Sequence, residues 1–207
     1  MSEFTLKRGL SNVVVAPVIA DNEEAFTTGE VRKLIPAGEM AVTVDNEKTQ
    51  TWFDNTVFAE IGREGASEIT ITGAGLRAAA IAALNNKKID ETTGAVLDSG
   101  NFGVVQYFAL GAEKLNIDGT KELVWFTKGS FAIPDESAKT IGEDTDASGT
   151  ELTYAAIPTI HRFAATGETC KRVVIDTEDT KVKADADWFA QVVTPDNVGT
   201  ICEKAAG

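Results

Sequence analysis

The sequence predicts a mainly β protein, an antiparallel β-sandwich or barrel with one or two short α-helices. Three observations support this fold class. Several stretches alternate apolar and polar residues with a period of two, the pattern of strands that bury one face. Turn-forming residues separate these stretches, and no long helical segments lie between them. Many short strands without intervening long helices favour an antiparallel sandwich or barrel over a doubly wound α/β sheet.

About eight strands are expected along the chain. The clearest places Ile69 and Ile71 on one side and Glu68, Thr70 and Thr72 on the other. The remaining strands are expected within residues 12–19, 30–36, 40–45, 102–110, 121–133, 149–160 and 171–178. Because neighbouring residues of a strand point to opposite sides, the strand that starts at Lys121 places Trp125 and Phe126 on opposite faces.

Two helices are expected, and both are short. The first covers about residues 75–85, where Leu76, Ala80 and Leu84 recur every four residues and form one apolar stripe. The second lies within 184–193. Each helix is long enough to cover one side or end of a sheet but too short to alternate with strands in a parallel fold.

Composition indicates one folded domain over residues 1–207, with 43% hydrophobic and 25% charged residues. No run approaches the roughly 18 apolar residues that span a bilayer. The first residues also lack the pattern of a signal peptide, so we expect no membrane insertion and synthesis in the cytoplasm. Cys170 and Cys202 are expected to be free thiols, because a chain of this size needs no disulfide.

The net charge is −13, from 32 acidic and 19 basic residues. Nucleic-acid binding depends on Lys and Arg that neutralise phosphates, so this balance argues against ordinary nucleic-acid binding. Solubility is one explanation of the excess negative charge. A second explanation follows from the resemblance described below.

A glycine motif, G-A-G-L-R-A at Gly73–Ala78, has the form of a dinucleotide-binding turn between a strand and a helix. In such a fold the preceding strand is apolar on both faces, and a second apolar strand follows the helix. Here the preceding strand alternates, and the residues around Asp90 are too polar to form the second strand. We therefore expect Gly73 and Gly75 to serve a turn and not a nucleotide.

Catalytic and metal sites have little support in the sequence, so no catalytic residue, metal ligand or cofactor is expected. Residues 144–149 imitate the first half of a calcium loop, but Ala155 stands where the bidentate Glu should be. His161 is the sole histidine, which rules out a histidine cluster. A carboxylate pair for hydrolysis stays open as an alternative, because such pairing is spatial and not sequential.

Three stretches together resemble one family. They are RGLSNVVVAPV at 8–18, TWFDNTVFAEIG at 51–62 and DADWFAQVVTPD at 185–196. The chain is similar in these stretches, and in its order of elements, to the major tail tube protein of long-tailed, non-contractile bacteriophages. The resemblance covers nearly the whole chain through loose motifs.

The resemblance implies a structural virion protein that is not an enzyme. Such proteins form hexameric rings stacked into a hollow tail tube with a continuous inner β-barrel, the conduit for DNA ejection. The implied partners are further copies of the chain, a tape-measure protein, the tail-tip or baseplate proteins and a tail terminator. DNA would pass without specific binding. The implied location is the virion tail, after assembly in the cytoplasm of the bacterial host.

An acidic channel wall would repel DNA phosphates and keep the genome sliding, provided that the carboxylates lie on the wall itself. Glu68 and Glu122 are the candidates for lining the channel. An extended hairpin loop at about 45–57 is expected to reach a neighbouring subunit. Its candidates for contact between subunits are Trp52, Phe53, Asp54 and Asn55.

Three further segments are expected to lie outside the sheet. They are an N-terminal arm at about 1–12, an acidic mobile loop at about 134–149 and a C-terminal tail at about 195–207. Two alternatives remain open. Trp52 and Phe53 could pack in the core of their own subunit, and the chain could instead be a monomeric β-sandwich binding module, decoration-like or adhesin-like, that recognises a glycan or a capsid.

Overall fold

The computed structural model describes residues 4–100, 104–135, 149–178, 180–182 and 185–204. It confirms a mainly β, antiparallel fold. The strands are β1 (Lys7–Asp21), β2 (Phe26–Thr28), β3 (Arg32–Lys33), β4 (Ala37–Phe53), β5 (Thr56–Gly73), β6 (Lys88–Ile89), β7 (Val96–Leu97), β8 (Phe108–Asn116), β9 (Lys121–Phe131), β10 (Thr150–Ala156), β11 (Arg172–Asp176), β12 (Thr180–Val182) and β13 (Cys202–Lys204). The helices are α1 (Ala78–Leu84), α2 (Asp185–Trp188) and α3 (Val198–Ile201).

The main sheet contains nine strands. Seven of them follow one another in the order β2-β1-β8-β9-β10-β5-β4, and the other two, β3 and β11, pair beside this path. Strand β3 pairs with β1, and β11 pairs with the first half of β9. Two small ribbons, β6 with β7 and β12 with β13, lie outside this sheet. Within the described residues the sheet is open, since β2 and β4 stand at opposite ends of its strand order.

One face of the sheet encloses the larger core, here called the inner core. Alternate residues of six strands meet there, and Leu84 of α1 packs against them. Its largest members are Ile69, Ile71, Phe108, Leu110, Phe126, Leu152 and Tyr154. The alternation predicted around Ile69 and Ile71 is therefore confirmed, because both side chains are fully buried on this face.

The opposite face of β1, β8 and β9 carries a second core, here called the outer core. Trp125 and Leu123 of β9 contact the C-terminal residues Trp188, Val192 and Ile201 there. The Trp125 indole donates a hydrogen bond to the Trp188 carbonyl, at 3.0 Å. Trp125 and Phe126 do occupy opposite faces, as predicted, but each is buried in a core of its own subunit.

A buried ion pair ties three segments together at one end of the sheet. Asp21, the last residue of β1, accepts a 2.6 Å hydrogen bond from Lys128 of β9. The same carboxylate accepts the backbone N–H groups of Ile160 and His161 at 2.9–3.0 Å. The Asp21 and Lys128 side chains are 4% and 7% exposed.

Three sequence-based boundaries need correction. Residues 7–12 of the predicted N-terminal arm belong to β1, where Lys7 pairs with Asn116 and Ser11 with Glu113. The predicted C-terminal tail contains α3 and β13, and Ile201 is buried in the outer core. The strand predicted from residue 102 starts at Phe108. Most of the predicted acidic loop, residues 136–148, lies outside the described residues.

Candidate functional site

The free side of β4, β5 and β10 forms a polar surface, here called the acidic face. These strands pair in register, and the residues opposite the inner core form three rows of three. The rows are Glu39, Thr72, Glu151; Ala41, Thr70, Thr153; and Thr43, Glu68, Ala155. Seven of the nine are exposed, and two threonines are half-buried. The surface therefore presents three carboxylates without a Lys or Arg among its nine positions.

Strand alternation explains why these nine residues share one side. Met40 and Val42 of β4 pack against the inner core, and so do Ile69 and Ile71 of β5. The residues between them must point the other way. Above β1, β8 and β9 this outer side is covered by the C-terminal outer core. Above β4, β5 and β10 it is exposed.

Glu68 and Glu122, the two predicted channel-lining residues, lie in different surroundings. Glu68 belongs to the acidic face and is exposed. Glu122 alternates with Leu123 of the outer core, so it points to the side of Val124 in the inner core. The two carboxylates therefore point to opposite sides of the sheet.

Glu122 is also compensated by two cations. It accepts hydrogen bonds from Lys7 at 2.6 Å and Lys114 at 2.8 Å. Burial by itself raises the pKa of Glu122, but the bonds from Lys114 and Lys7 outweigh burial and lower that pKa below its usual value. Glu122 is consequently a bridge between β1, β8 and β9, and Glu39 and Glu151 are the residues that stand beside Glu68.

A projecting hairpin, here called the arm, occupies residues 46–64. Its two strands are the ends of β4 and β5, and they pair from Asn46 opposite Glu64 to Phe53 opposite Thr56. Strand β10 pairs with β5 only between Ser67 and Gly73, so the arm extends beyond the sheet as a two-stranded ribbon. Eight rungs at about 3.4 Å give it a length of about 27 Å. The hairpin predicted at about 45–57 is therefore present, as two paired strands that extend over 46–64.

Polar contacts support the arm along its length. At its base, the Lys171 ammonium bonds the Glu64 carboxylate and, at 3.1 Å, the Gly65 carbonyl. Farther out, Lys48 pairs with Glu60 across the two strands at 2.9 Å. Hydrogen bonds from these lysines lower the pKa of Glu60 and of Glu64. Surface pairs of this kind contribute little stability but favour one register.

The end of the arm, here called the arm tip, comprises residues 52–58. Asp54 and Asn55 form its two-residue turn with φ values of 49° and 60°. Such left-handed turns suit the twist of a hairpin, and Asp and Asn are among the residues that tolerate them. The four candidate contact residues, Trp52, Phe53, Asp54 and Asn55, are thus brought together at this tip.

The aromatic residues of the arm tip are exposed. The exposed fractions are 58% for Trp52, 58% for Phe53 and 75% for Phe58. Packing of Trp52 and Phe53 in the core of their own subunit is therefore wrong. Clustered apolar side chains on a projecting element are typical of a surface that another molecule covers.

The glycine motif at Gly73–Ala78 does not belong to a dinucleotide fold. Strand β5 pairs antiparallel with both β4 and β10, whereas a dinucleotide fold needs parallel neighbours. A Cβ on Gly73 would lie 2.6 Å from the Pro36 carbonyl oxygen. The glycine is required by this close backbone approach, whereas the sequence indicated a turn.

Other candidate chemistry finds no clear site. Within the described ranges, no group of three or more His, Cys, Asp or Glu side chains is arranged to hold a metal ion. His161 is half-buried beside Phe163, with ring centroids 5.1 Å apart. Its backbone N–H donates a hydrogen bond to the Asp21 carboxylate. Cys170 and Cys202 are free thiols. Across the described residues, no helix combines the length and apolar character that a membrane crossing requires.

No family model matches this sequence, and none of the curated proteins matches it.

Proposed function

We propose that the chain is a structural subunit that assembles with copies of itself into the tail tube of a long-tailed, non-contractile bacteriophage. The observation that carries the proposal is the arm, with its exposed aromatic tip. A hairpin that projects about 27 Å beyond its sheet adds little to the core of its own subunit. Such a projection instead offers contact area to another copy, and the interfaces of permanent assemblies often exceed roughly 2,000 Å².

The arm also fits the geometry of a stacked tube. Ring stacking is a head-to-tail contact, in which one surface of a subunit meets a different surface of the next. Such contacts continue without a natural end. A projecting element on one side of the subunit, with Trp52, Phe53, Asp54 and Asn55 at its tip, supports contacts of this kind.

The acidic face supports the role of a channel wall. DNA carries about one negative charge per 1.7 Å of helix axis, so Glu39, Glu68 and Glu151 on a wall would repel it. Screening limits this repulsion to about 8 Å at physiological salt, which requires that the carboxylates line the channel directly. We therefore propose Glu39, Glu68 and Glu151 as the wall residues. Glu122 is assigned to contacts within the subunit.

The remaining parts of the proposal come from the resemblance. The subunit would form hexameric rings and meet a tape-measure protein, the tail-tip or baseplate proteins and a tail terminator. It would be assembled in the bacterial cytoplasm and act in the virion tail. It would have no catalytic activity and no cofactor.

Electron microscopy of the concentrated protein tests the assembly. Rings or tubes with a central hole are expected, because every copy carries the arm and can contact the next copy with it. The protein should be imaged alone and after mixing with purified tail tips as nucleators. Monomers under all these conditions, together with binding in a glycan screen or to capsids, would instead establish the monomeric binding module.

A charge reversal tests the wall separately. The double variant Glu68→Lys, Glu151→Lys should assemble normally yet reduce infectivity, because lysines on the wall would bind the passing phosphates. The control is Glu23→Lys, at an exposed position outside the acidic face. Normal infectivity of the double variant in assembled tails would remove the wall assignment.

A further inference from the structure

A groove lies beside the open seam of the main sheet, and we call it the seam groove. Its volume is about 470 Å³. Its apolar lining residues are Leu10, Val13, Leu34, Ile35, Pro36 and Ala37. Val13 and Ile35 are members of the inner core, so the floor of the groove is continuous with the main hydrophobic core. The size is within the range of pockets that hold a ligand or a few side chains.

The rim of the seam groove is basic. Lys33 lines it, whereas Arg32, the preceding residue of β3, points to the other side of the strand. Both residues are exposed, and neither forms an ion pair within the part of the chain that the structure describes. In a chain with a net charge of −13, an unpaired lysine on the groove lining favours an occupant that carries a carboxylate.

The arm tip is apolar on both of its faces. Phe53 and Phe58 share one face, with ring centroids 5.2 Å apart in an edge-to-face arrangement. Trp52 pairs across the strands with Val57, on the other face. A flat partner surface would cover one of these faces and leave the other in water. A groove covers both, and an inserted turn brings Asp54 among the lining residues, which include Lys33.

The arm tip cannot enter the groove of its own chain. Strand β4 runs continuously from Ala37, which lines the groove, to Phe53 at the tip. Its 17 residues hold the two ends roughly 50 Å apart at about 3.3 Å per residue. An occupant with the tip's chemistry must therefore come from a second copy.

We propose that the arm tip of one copy inserts into the seam groove of the next, with Asp54 facing Lys33. This inference rests on the proposed function, since it names the surface that receives the arm. The contact is head-to-tail, because the tip and the groove are different surfaces of one subunit. The copies at the two ends of the assembly keep a free groove or a free tip, so the assembly can grow.

A disulfide between copies tests the contact. The variant Asn55→Cys, Lys33→Cys should form a series of covalently linked oligomers when assembled protein is oxidised. The control is Asn55→Cys, Glu91→Cys, in which the second cysteine lies at an exposed position away from the groove. Assemblies in which the first variant links no better than the control would overturn the inference and leave the tail tube function standing. Monomers under every condition would overturn both.

A pair of threonine variants tests insertion without cysteines. Phe58→Thr and Val57→Thr remove apolar surface from one face each, and threonine keeps the strand propensity of the arm. If a groove encloses both faces, each variant should raise the protein concentration needed for assembly by about tenfold or more. Gln50→Thr, lower on the arm, should leave that concentration unchanged. An effect of only one tip variant would show contact with a flat surface and overturn the insertion.

Discussion

Replacing Asp21 with alanine removes the carboxylate on which three chain segments converge. The substitution leaves the Lys128 ammonium buried at 7% exposure without its counter-charge. It also removes the acceptor of the Ile160 and His161 backbone N–H groups. Lys128 keeps one favourable contact, since its ammonium lies 4.6 Å from the centre of the Tyr107 ring.

The expected loss of unfolding free energy is about 3–5 kcal/mol, the usual cost of removing one partner from a buried ion pair. With a urea m-value of about 2 kcal/mol/M, this loss lowers the unfolding midpoint by about 2 M. The double variant Asp21→Ala, Lys128→Met should be no less stable than Asp21→Ala alone, because it also removes the unpaired buried charge.

Urea unfolding followed by tryptophan fluorescence measures these changes, with the exposed Asp135→Asn as the control. The measurement should use protein at concentrations where it is monomeric, so that assembly does not add to stability. A loss below about 1 kcal/mol for Asp21→Ala, or losses that simply add in the double variant, would refute the reasoning.

The same carboxylate predicts a dependence on pH. Burial by itself raises the pKa of Asp21, but hydrogen bonds from Lys128, His161 and Ile160 outweigh burial and place it below the usual 3.8. A carboxyl with a lowered folded pKa stabilises fully above its unfolded pKa and loses that contribution as the pH falls through the folded value. The stability advantage of the natural protein over Asp21→Asn should therefore be constant from pH 7 to about 5 and shrink below pH 3.8.

Three further substitutions or modifications probe local packing. Gly129→Ala should destabilise the protein by about 1–3 kcal/mol or more in urea unfolding, because the added Cβ would lie 2.4 Å from the Tyr154 ring. The control is Gly62→Ala, whose Cβ would have no atom within 4 Å and which should be nearly neutral. Tyr154→Phe should cost about 1–3 kcal/mol in the same assay, since it leaves the buried Phe108 carbonyl without its 2.7 Å hydrogen bond. Burial raises the pKa of the Cys170 thiol, so its reaction with a thiol reagent at pH 8 should be several-fold slower than that of free cysteine.

Much of the fold could be predicted, because it follows from local alternation. Ile69 and Ile71 are separated by one polar residue, and a strand places such residues on one face whatever its neighbours are. The same rule placed Trp125 and Phe126 on opposite faces. It did not show that both faces of β9 are covered, because the cover comes from Trp188, 63 positions later in the chain.

The candidate wall was predicted only in part, because strand pairing was unknown. Glu68 was identified from its own strand, and the alternation around Leu152 and Tyr154 could also have identified Glu151. The sequence grouped Glu122 with Glu68 although the two point to opposite sides of the sheet, because the residues that surround Glu122 come from distant parts of the sheet. Lys7 is 115 positions away, and no local sequence pattern predicts that its ammonium donates a hydrogen bond to Glu122.

The arm was predicted as a hairpin loop and not as two regular strands, because its strands have no buried face. A ribbon that projects beyond the sheet has polar residues on both sides for most of its length, so the period of two that marks a half-buried strand is absent. The Asp54–Asn55 pair was the local signal for a tight hairpin turn. Sequence alone also could not decide between a buried and an exposed Trp52, since tryptophan is common in cores and at interfaces.

During synthesis, the apolar residues beneath the outer core leave the ribosome well before the residues that cover them. Leu123 and Trp125 precede Trp188, Val192 and Ile201 by more than 60 positions. At about 5–20 residues per second, a nascent chain therefore exposes this surface for several seconds. A chain that stops before Trp188 would expose this apolar surface permanently. Truncated products should therefore aggregate, because the residues that cover the surface come last in the sequence.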